Sequence, residues 1–251
     1  MARISISRLI LSAFLCLALG GCAVIFPKSN TSLKLEEHQL SGAPESGPLS
    51  FQPLDGTQEE ILAKHADDRT TTVSNEAFSV DGNPAISSLG DKNDLKAIVL
   101  STNPGQPEQT VKLLRGDEII FETPGGLPSP AVPVQALWTY DGHWALEILY
   151  SDQSTWAGKI YIDGLLINEQ KGYDEVFGFQ LLADKPFFFF MRNGQVGYSY
   201  DGHETELNFN YIPHYNCCAE SLLNPIKSQT MVAFFAQRDS IWYYVELGDF
   251  N

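Results

Sequence analysis

Residues 176–210, VFGFQLLADKPFFFFMRNGQVGYSYDGHETELNFN, contain four apolar or alternating runs separated by three turn-forming tripeptides. The tripeptides begin at Ala183, Arg192 and Asp201. The second contains Asn-Gly and the third Asp-Gly, dipeptides that accept the positive φ angles of tight hairpin corners. The stretch therefore predicts an antiparallel meander of four short strands.

The run Phe187 to Phe190 indicates how this meander is packed. Successive side chains of a strand point to opposite faces of the sheet, so each face receives two phenylalanines. An antiparallel sheet with one wet face would instead alternate apolar and polar residues. We therefore expect the sheet to be covered on both sides, with all four phenylalanines in the core.

The pattern repeats on either side of this stretch. Residues 134–168 form a second whole unit, with Asp141-Gly142 and Asp163-Gly164 at its turns. Half units lie at 110–122 and 230–247. Four-stranded units of about 40 residues resemble propeller blades. The sequence predicts an all-β domain over 94–251, built from antiparallel four-stranded meanders as a small propeller-like stack or a two-sheet sandwich. The two half units are expected to form a closing sheet from both ends of the domain.

The first 21 residues have the three-part layout of a secretory signal peptide. Arg3 and Arg8 precede an apolar run from Leu9 to Leu19, and small residues follow. A run of eleven residues is too short for a membrane-spanning helix, which needs about 20. We therefore expect residues 1–21 to be removed.

The sequence Leu19-Gly20-Gly21-Cys22 resembles the lipobox of bacterial lipoproteins. The resemblance implies cleavage before Cys22, a diacylglycerol thioether on its sulfur and an acylated amine, palmitate being a typical acyl chain. More than one acyl chain gives durable membrane anchoring. The resemblance also implies a cell-envelope, extracytoplasmic location, at the outer membrane in a Gram-negative host because Ala23 rather than Asp follows the cysteine.

Residues 22–93 are rich in Ser, Pro, Gly, Thr and acidic residues and contain few aromatics. Such a composition buries little apolar surface and predicts a tether. Thr57 and Glu60 have the spacing of a capping box, so the tether is expected to contain at most one short helix.

The charge of the chain bears on its partners. It has 16 basic and 31 acidic residues, and loss of the signal peptide would leave a net charge of −17. An acidic protein is repelled by phosphate backbones, so we expect no nucleic-acid partner. No stretch has the spacing of an EF-hand calcium loop, and we expect no cofactor.

Cys217 and Cys218 would be the thiols left in the mature chain once Cys16 is removed and Cys22 is lipidated. An adjacent pair in an oxidising compartment has three fates. The two cysteines stay as shielded thiols, form a strained vicinal disulfide, or bind a soft metal together with His214. The sequence leaves these alternatives open.

Enzyme motifs are incomplete. Ser199 lies in Gly-Tyr-Ser-Tyr-Asp, which lacks the second glycine of a nucleophile elbow and occurs inside a meander. Asp141 with His143, and Asp201 with His203, recur at Asp-Gly-His turns that hairpin geometry already explains. We therefore expect no catalysis.

Aromatic side chains at strand ends and loops are candidates for stacking on a carbohydrate or a peptide. Trp156 is the first candidate because it lies in the longest insertion among the turns, and Trp138 and Trp144 are the others. The sequence thus favours a lipid-anchored envelope protein whose β domain recognises a ligand or an envelope protein. Redox or metal handling at the cysteine pair is one alternative, and a structural assembly subunit that pairs through sheet edges is another.

Overall fold

The computed structural model describes residues 33–44, 72–74, 79–80, 83–90, 94–101, 108–129, 131–152, 155–215, 221 and 224–248. The predicted signal peptide, Cys22 and the capping-box segment at Thr57 lie outside these residues. The described part consists of β-strands and one five-residue helix. The prediction of an all-β domain is confirmed.

The first meander lies near the start of the described chain. Strand β1 (Lys34–Gln39) comes first and pairs elsewhere. The short strands β2 (Thr72–Ser74) and β3 (Ser79–Val80) both pair with β4. The meander itself consists of β4 (Asn83–Gly90), β5 (Leu95–Ser101), β6 (Gln109–Arg115) and β7 (Glu118–Gly126).

The second meander follows in the predicted unit. It consists of β8 (Val134–Tyr140), β9 (His143–Ser151), β10 (Trp156–Ile162) and β11 (Leu165–Leu166). A single parallel bridge between Gly126 of β7 and Ser151 of β9 joins it to the first meander, so the two share one sheet. The helix α1 (Ile167–Lys171) then leads to the next meander.

The third meander is the one predicted from residues 176–210. It consists of β12 (Glu175–Leu182), β13 (Lys185–Arg192), β14 (Gln195–Tyr200) and β15 (His203–Glu206), each antiparallel to the next. Asn193 and Gly194 have φ angles of 52° and 73°, as a tight hairpin with two positive-φ residues requires. The predicted strands and turns are confirmed.

The fourth meander combines the two ends of the described chain. It contains β16 (Ile226–Lys227), β17 (Met231–Arg238) and β18 (Ile241–Gly248), and β1 pairs antiparallel with β18 as its outer strand. Strands β1 to β4 therefore lie inside the range that composition assigned to the tether. The two predicted half units do not share a closing sheet, because β6–β7 and β17–β18 belong to different sheets. The first half unit is completed by β4 and β5, and the second by β1 and β16.

Hydrophobic clusters show how the meanders stack. One cluster contains Leu113 and Leu146, from the first and second meanders. The phenylalanines of β13 divide between the two other interfaces, as expected from their alternation. Phe188 and Phe190 pack toward the second meander, while Phe187 and Phe189 pack toward Phe234 of the fourth. All four are buried, which confirms that this sheet is covered on both sides.

Within the residues that the structure describes, no helix has the length and apolar character needed to cross a membrane.

Candidate functional site

A cavity of about 220 Å³ lies where the second, third and fourth meanders meet. We call it the Lys227 cavity. Its polar lining comes from separate elements: Gln135 on β8, Glu147 on β9, His214 and Tyr215 after β15, Asn224 before β16 and Lys227 on β16.

Glu147 supplies the negative charge of this cavity and is itself buried. Its carboxylate accepts backbone N–H groups from Gly178 at 2.9 Å and from Phe179 at 2.7 Å, and the hydroxyl of Tyr215. The two N–H groups reach one carboxylate because β12 carries a bulge between Phe177 and Gln180, where Gly178 has φ +71°. A bulge of this kind redirects backbone groups that would otherwise continue the ladder. The hydrogen bonds that Glu147 accepts thus hold a buried charge between two meanders.

Tyr215 links the loop after β15 to Glu147. Burial raises the pKa of the Tyr215 phenol well above its usual range, and the negative charge of Glu147 raises it further. The phenol therefore keeps its proton and donates a hydrogen bond to the carboxylate. This fixes the loop that carries His214 and Tyr215 at the cavity wall.

Lys227 supplies the positive charge. Its ammonium donates to the carbonyl oxygen of Phe179 at 2.9 Å. Lys227 is an exposed residue that lines the cavity. Protein nevertheless surrounds its ammonium closely enough for desolvation to lower the pKa of Lys227, while the charge of Glu147 acts in the opposite direction. The cavity therefore contains one buried carboxylate and one partly desolvated amine.

His214 has partners for both ring nitrogens. Nδ1 lies 2.6 Å from the carbonyl oxygen of Ile212, Nε2 lies 3.2 Å from a carboxylate oxygen of Glu175, and the ring stacks on Phe177 with 3.7 Å between centroids. Metal binding by His214 would have to displace one of these partners. Cys217 and Cys218 lie outside the described residues. Within those residues, no three His, Cys, Asp or Glu side chains are grouped so as to hold a metal ion.

The three tryptophan candidates lie in different surroundings. Trp138 is in the core between the second and third meanders, and Trp144 is in the core between the first and second. Trp156 is 39% exposed at the start of β10. Of the three, Trp156 offers the most ring surface to a ligand, and none of them lines the Lys227 cavity.

The two Asp-Gly-His turns are used differently. His143 lies 2.5 Å from Asp163, which belongs to the turn between β10 and β11 of the same meander. Asp201 instead forms an ion pair with Lys185 at 3.0 Å. Ser199 is buried in β14. These residues do not come together at one site.

Glu147 and Lys227 were not among the site residues predicted from the sequence. Glu147 had a usable signal, because it is the one charged residue in the apolar run 144–150 and an isolated charge in a buried strand needs partners. Lys227 has no comparable signal, since its role depends on where the short strand β16 meets β12.

Comparisons of the chain with protein-family models, with curated proteins and with solved structures found no match in any of the three.

Proposed function

We propose that this chain is a lipid-anchored protein of the bacterial cell envelope whose β domain is a non-catalytic recognition module, with the Lys227 cavity as its ligand site. The observation that carries the proposal is the presence of opposite charges in one small cavity. Glu147 and Lys227 both line it. Ligand sites are concave and contain a few polar groups fixed in position.

The polar groups of the cavity are held in position by hydrogen bonds, and this supports recognition rather than proton transfer. The carboxylate of Glu147 accepts three hydrogen bonds, and the raised pKa of Tyr215 keeps that phenol a donor. Groups held in this way orient a ligand and lose little freedom when it binds. A stack of meanders suits such a module, since strands of the second, third and fourth meanders and the loops beside them bring their side chains to one place.

The two alternatives have less support. A redox or metal role would use His214 with Cys217 and Cys218, and metal binding requires one His214 nitrogen to leave its partner, Ile212 or Glu175. Assembly through a sheet edge would use strands such as β15, whose four residues are exposed and include Glu204 and Glu206. Charged residues on an edge strand oppose pairing with another chain.

The anchor would hold the β domain close to the membrane. Strand β1 begins at Lys34, twelve residues after Cys22, and a fully extended chain of that length spans about 40 Å. The fourth meander, which β1 completes, would therefore be the one tethered next to the lipid surface.

The anchor predicts the behaviour of a Cys22→Ser variant. Without the thioether the chain loses its acyl groups, so we expect it to move from the membrane fraction to the soluble fraction. Fractionation with intact-mass measurement checks this. Cys16→Ser is the matched control, because Cys16 would leave with the signal peptide. Membrane retention of Cys22→Ser, with a mass that differs from wild type by the Cys-to-Ser exchange alone, would rule out the lipid anchor.

The cavity predicts that Lys227 is needed for ligand binding. A library of small polar compounds would be screened against the chain by ligand-observed NMR. We expect compounds that bind the wild-type protein to bind Lys227→Met at least about tenfold more weakly, since unpaired polar groups remain when the amine is lost. Lys159→Met is the control, because Lys159 packs over Tyr150 outside the cavity. Hits that bind Lys227→Met as well as wild type would place the ligand site elsewhere.

A further inference from the structure

We propose that the ligand of the Lys227 cavity is a neutral, hydroxyl-rich molecule the size of one sugar ring, held by adjacent hydroxyl groups between Lys227 and Glu147. The inference rests on the proposed recognition function and specifies the chemical class of the ligand. Three properties of the cavity support this ligand class: its hydrogen-bonding capacity, its charge and its size.

The hydrogen-bonding capacity left over on the two charged groups is complementary. An ammonium has three donors, and Lys227 uses one on the carbonyl oxygen of Phe179. A carboxylate has about four acceptor positions, and Glu147 uses three. Counting the contacts among the described residues, about two donors and one acceptor thus remain for a ligand.

Lys227 and Glu147 do not satisfy each other directly. Glu147 affects the pKa of Lys227, so the two charges are close enough to interact. Yet the contacts of their side chains in the described part of the chain go to Phe179, Gly178 and Tyr215 and include no ion pair between them. Both side chains nevertheless line the same cavity, so a single small polar group placed there would contact both. A hydroxyl group fits, because it accepts from an ammonium and donates to a carboxylate at the same time.

The charge of the cavity disfavours ionic ligands. One carboxylate and one ammonium give the pair no net charge, and a mature chain of charge −17 repels anions in general. A cation would meet Lys227. A zwitterion such as an amino acid brings an ammonium with three donors, whereas Glu147 has about one acceptor position left. Hydroxyl groups need no such excess of acceptors.

The size of the cavity sets the size of the ligand. Its volume of about 220 Å³ is below the roughly 300–1,000 Å³ of drug-sized sites. It corresponds to about seven waters at roughly 30 Å³ each. This is space for one hydroxylated ring, and not for a chain of rings.

The test is isothermal titration calorimetry on the full-length, lipidated chain in detergent. The ligands would be neutral methyl monosaccharides, the same sugars lacking one of two adjacent hydroxyls, glycine and alanine, and inorganic phosphate. We expect a sugar to bind. Its deoxy analogue should bind at least about tenfold more weakly, because the polar groups that pair with the hydroxyl are left without a partner. Lys227→Met should weaken sugar binding by a similar factor, and Lys159→Met should leave it unchanged.

Each result decides a different point. Lys227→Gln, which keeps a polar group, serves if Lys227→Met does not fold, and circular dichroism verifies folding of each variant. Binding of glycine, alanine or phosphate that Lys227 substitution abolishes overturns the sugar inference and leaves the recognition function standing. The sugar inference is also overturned if neither removal of the hydroxyl nor substitution of Lys227 changes the affinity for the sugar. If none of the ligands binds, the inference is overturned, and the proposed function loses the support of the Lys227 cavity.

Discussion

Replacing Glu147 with glutamine is expected to lower the free energy of unfolding by about 2 to 4 kcal/mol. The carboxylate accepts from Gly178, Phe179 and Tyr215, and it is buried. A glutamine of the same shape keeps one acceptor oxygen and replaces the other with an N–H group. That group would face the donor of Phe179, so two buried donors would be left without an acceptor. Equilibrium unfolding in urea measures the change.

Glu122→Gln is the matched control. Glu122 is 55% exposed and forms one ion pair, with Lys112 at 3.3 Å, so its replacement should cost less than about 1 kcal/mol. Tyr215→Phe tests the same network more gently if Glu147→Gln fails to fold. It removes one donor to a charged acceptor and should cost about 1.5 to 3 kcal/mol. Unfolding free energies within about 0.5 kcal/mol of wild type for both site variants would contradict the anchoring role of Glu147.

The elements that could be predicted from the sequence are those encoded by neighbouring residues. The third meander follows from Asn193-Gly194 and Asp201-Gly202, since these dipeptides favour tight hairpins and the runs between them are strand-like. The burial of both faces of β13 follows from four consecutive phenylalanines. In each case the signal lies within a few residues of the structure it specifies.

Pairing between distant parts of the chain was not predictable in this way. Strand β1 pairs Lys34 with Gly248, and its polar sequence KLEEHQ shows little of the alternation that identifies a buried strand. The strand is stable as an outer strand because β18 supplies its hydrogen bonds. Composition therefore assigned it to a tether.

The site was hidden for the same reason. Glu147 meets its donors only because the bulge at Gly178 redirects β12 and because the loop after β15 returns to β9. Neither the bulge nor the path of the loop produces a local sequence pattern from which the contact with Glu147 could be predicted. Two candidates chosen from the sequence, His214 and Trp156, were selected by chemistry that is visible in single residues. Of these two, His214 lines the cavity and Trp156 does not.

Replacing Gly158 with alanine is expected to destabilise the chain by about 3 kcal/mol, at the upper end of what overpacking typically costs. Gly158 lies in β10, where the second meander approaches the third. A Cβ atom at this position would lie 2.6 Å from the hydroxyl oxygen of Tyr215 and closer still to the carbonyl oxygen of Val176. The backbone of β12 cannot yield as a flexible side chain would. The methyl group would therefore push apart the two meanders, and with them the contact of Tyr215 to Glu147.

The measurement again is urea unfolding, with Gly90→Ala as the control. A Cβ atom at Gly90 would meet one atom within 4 Å, the carbonyl oxygen of Leu95 at 3.8 Å, which is an ordinary contact, so little change in stability is expected. A Gly158→Ala protein within about 1 kcal/mol of wild type would show that β10 and β12 separate without cost. If the variant is destabilised but folded, it should also lose ligand binding at the Lys227 cavity, because Tyr215 belongs to both the cavity wall and the contact with Gly158. A destabilised variant that retained binding would mean that the wall formed by Tyr215 is not part of the ligand site.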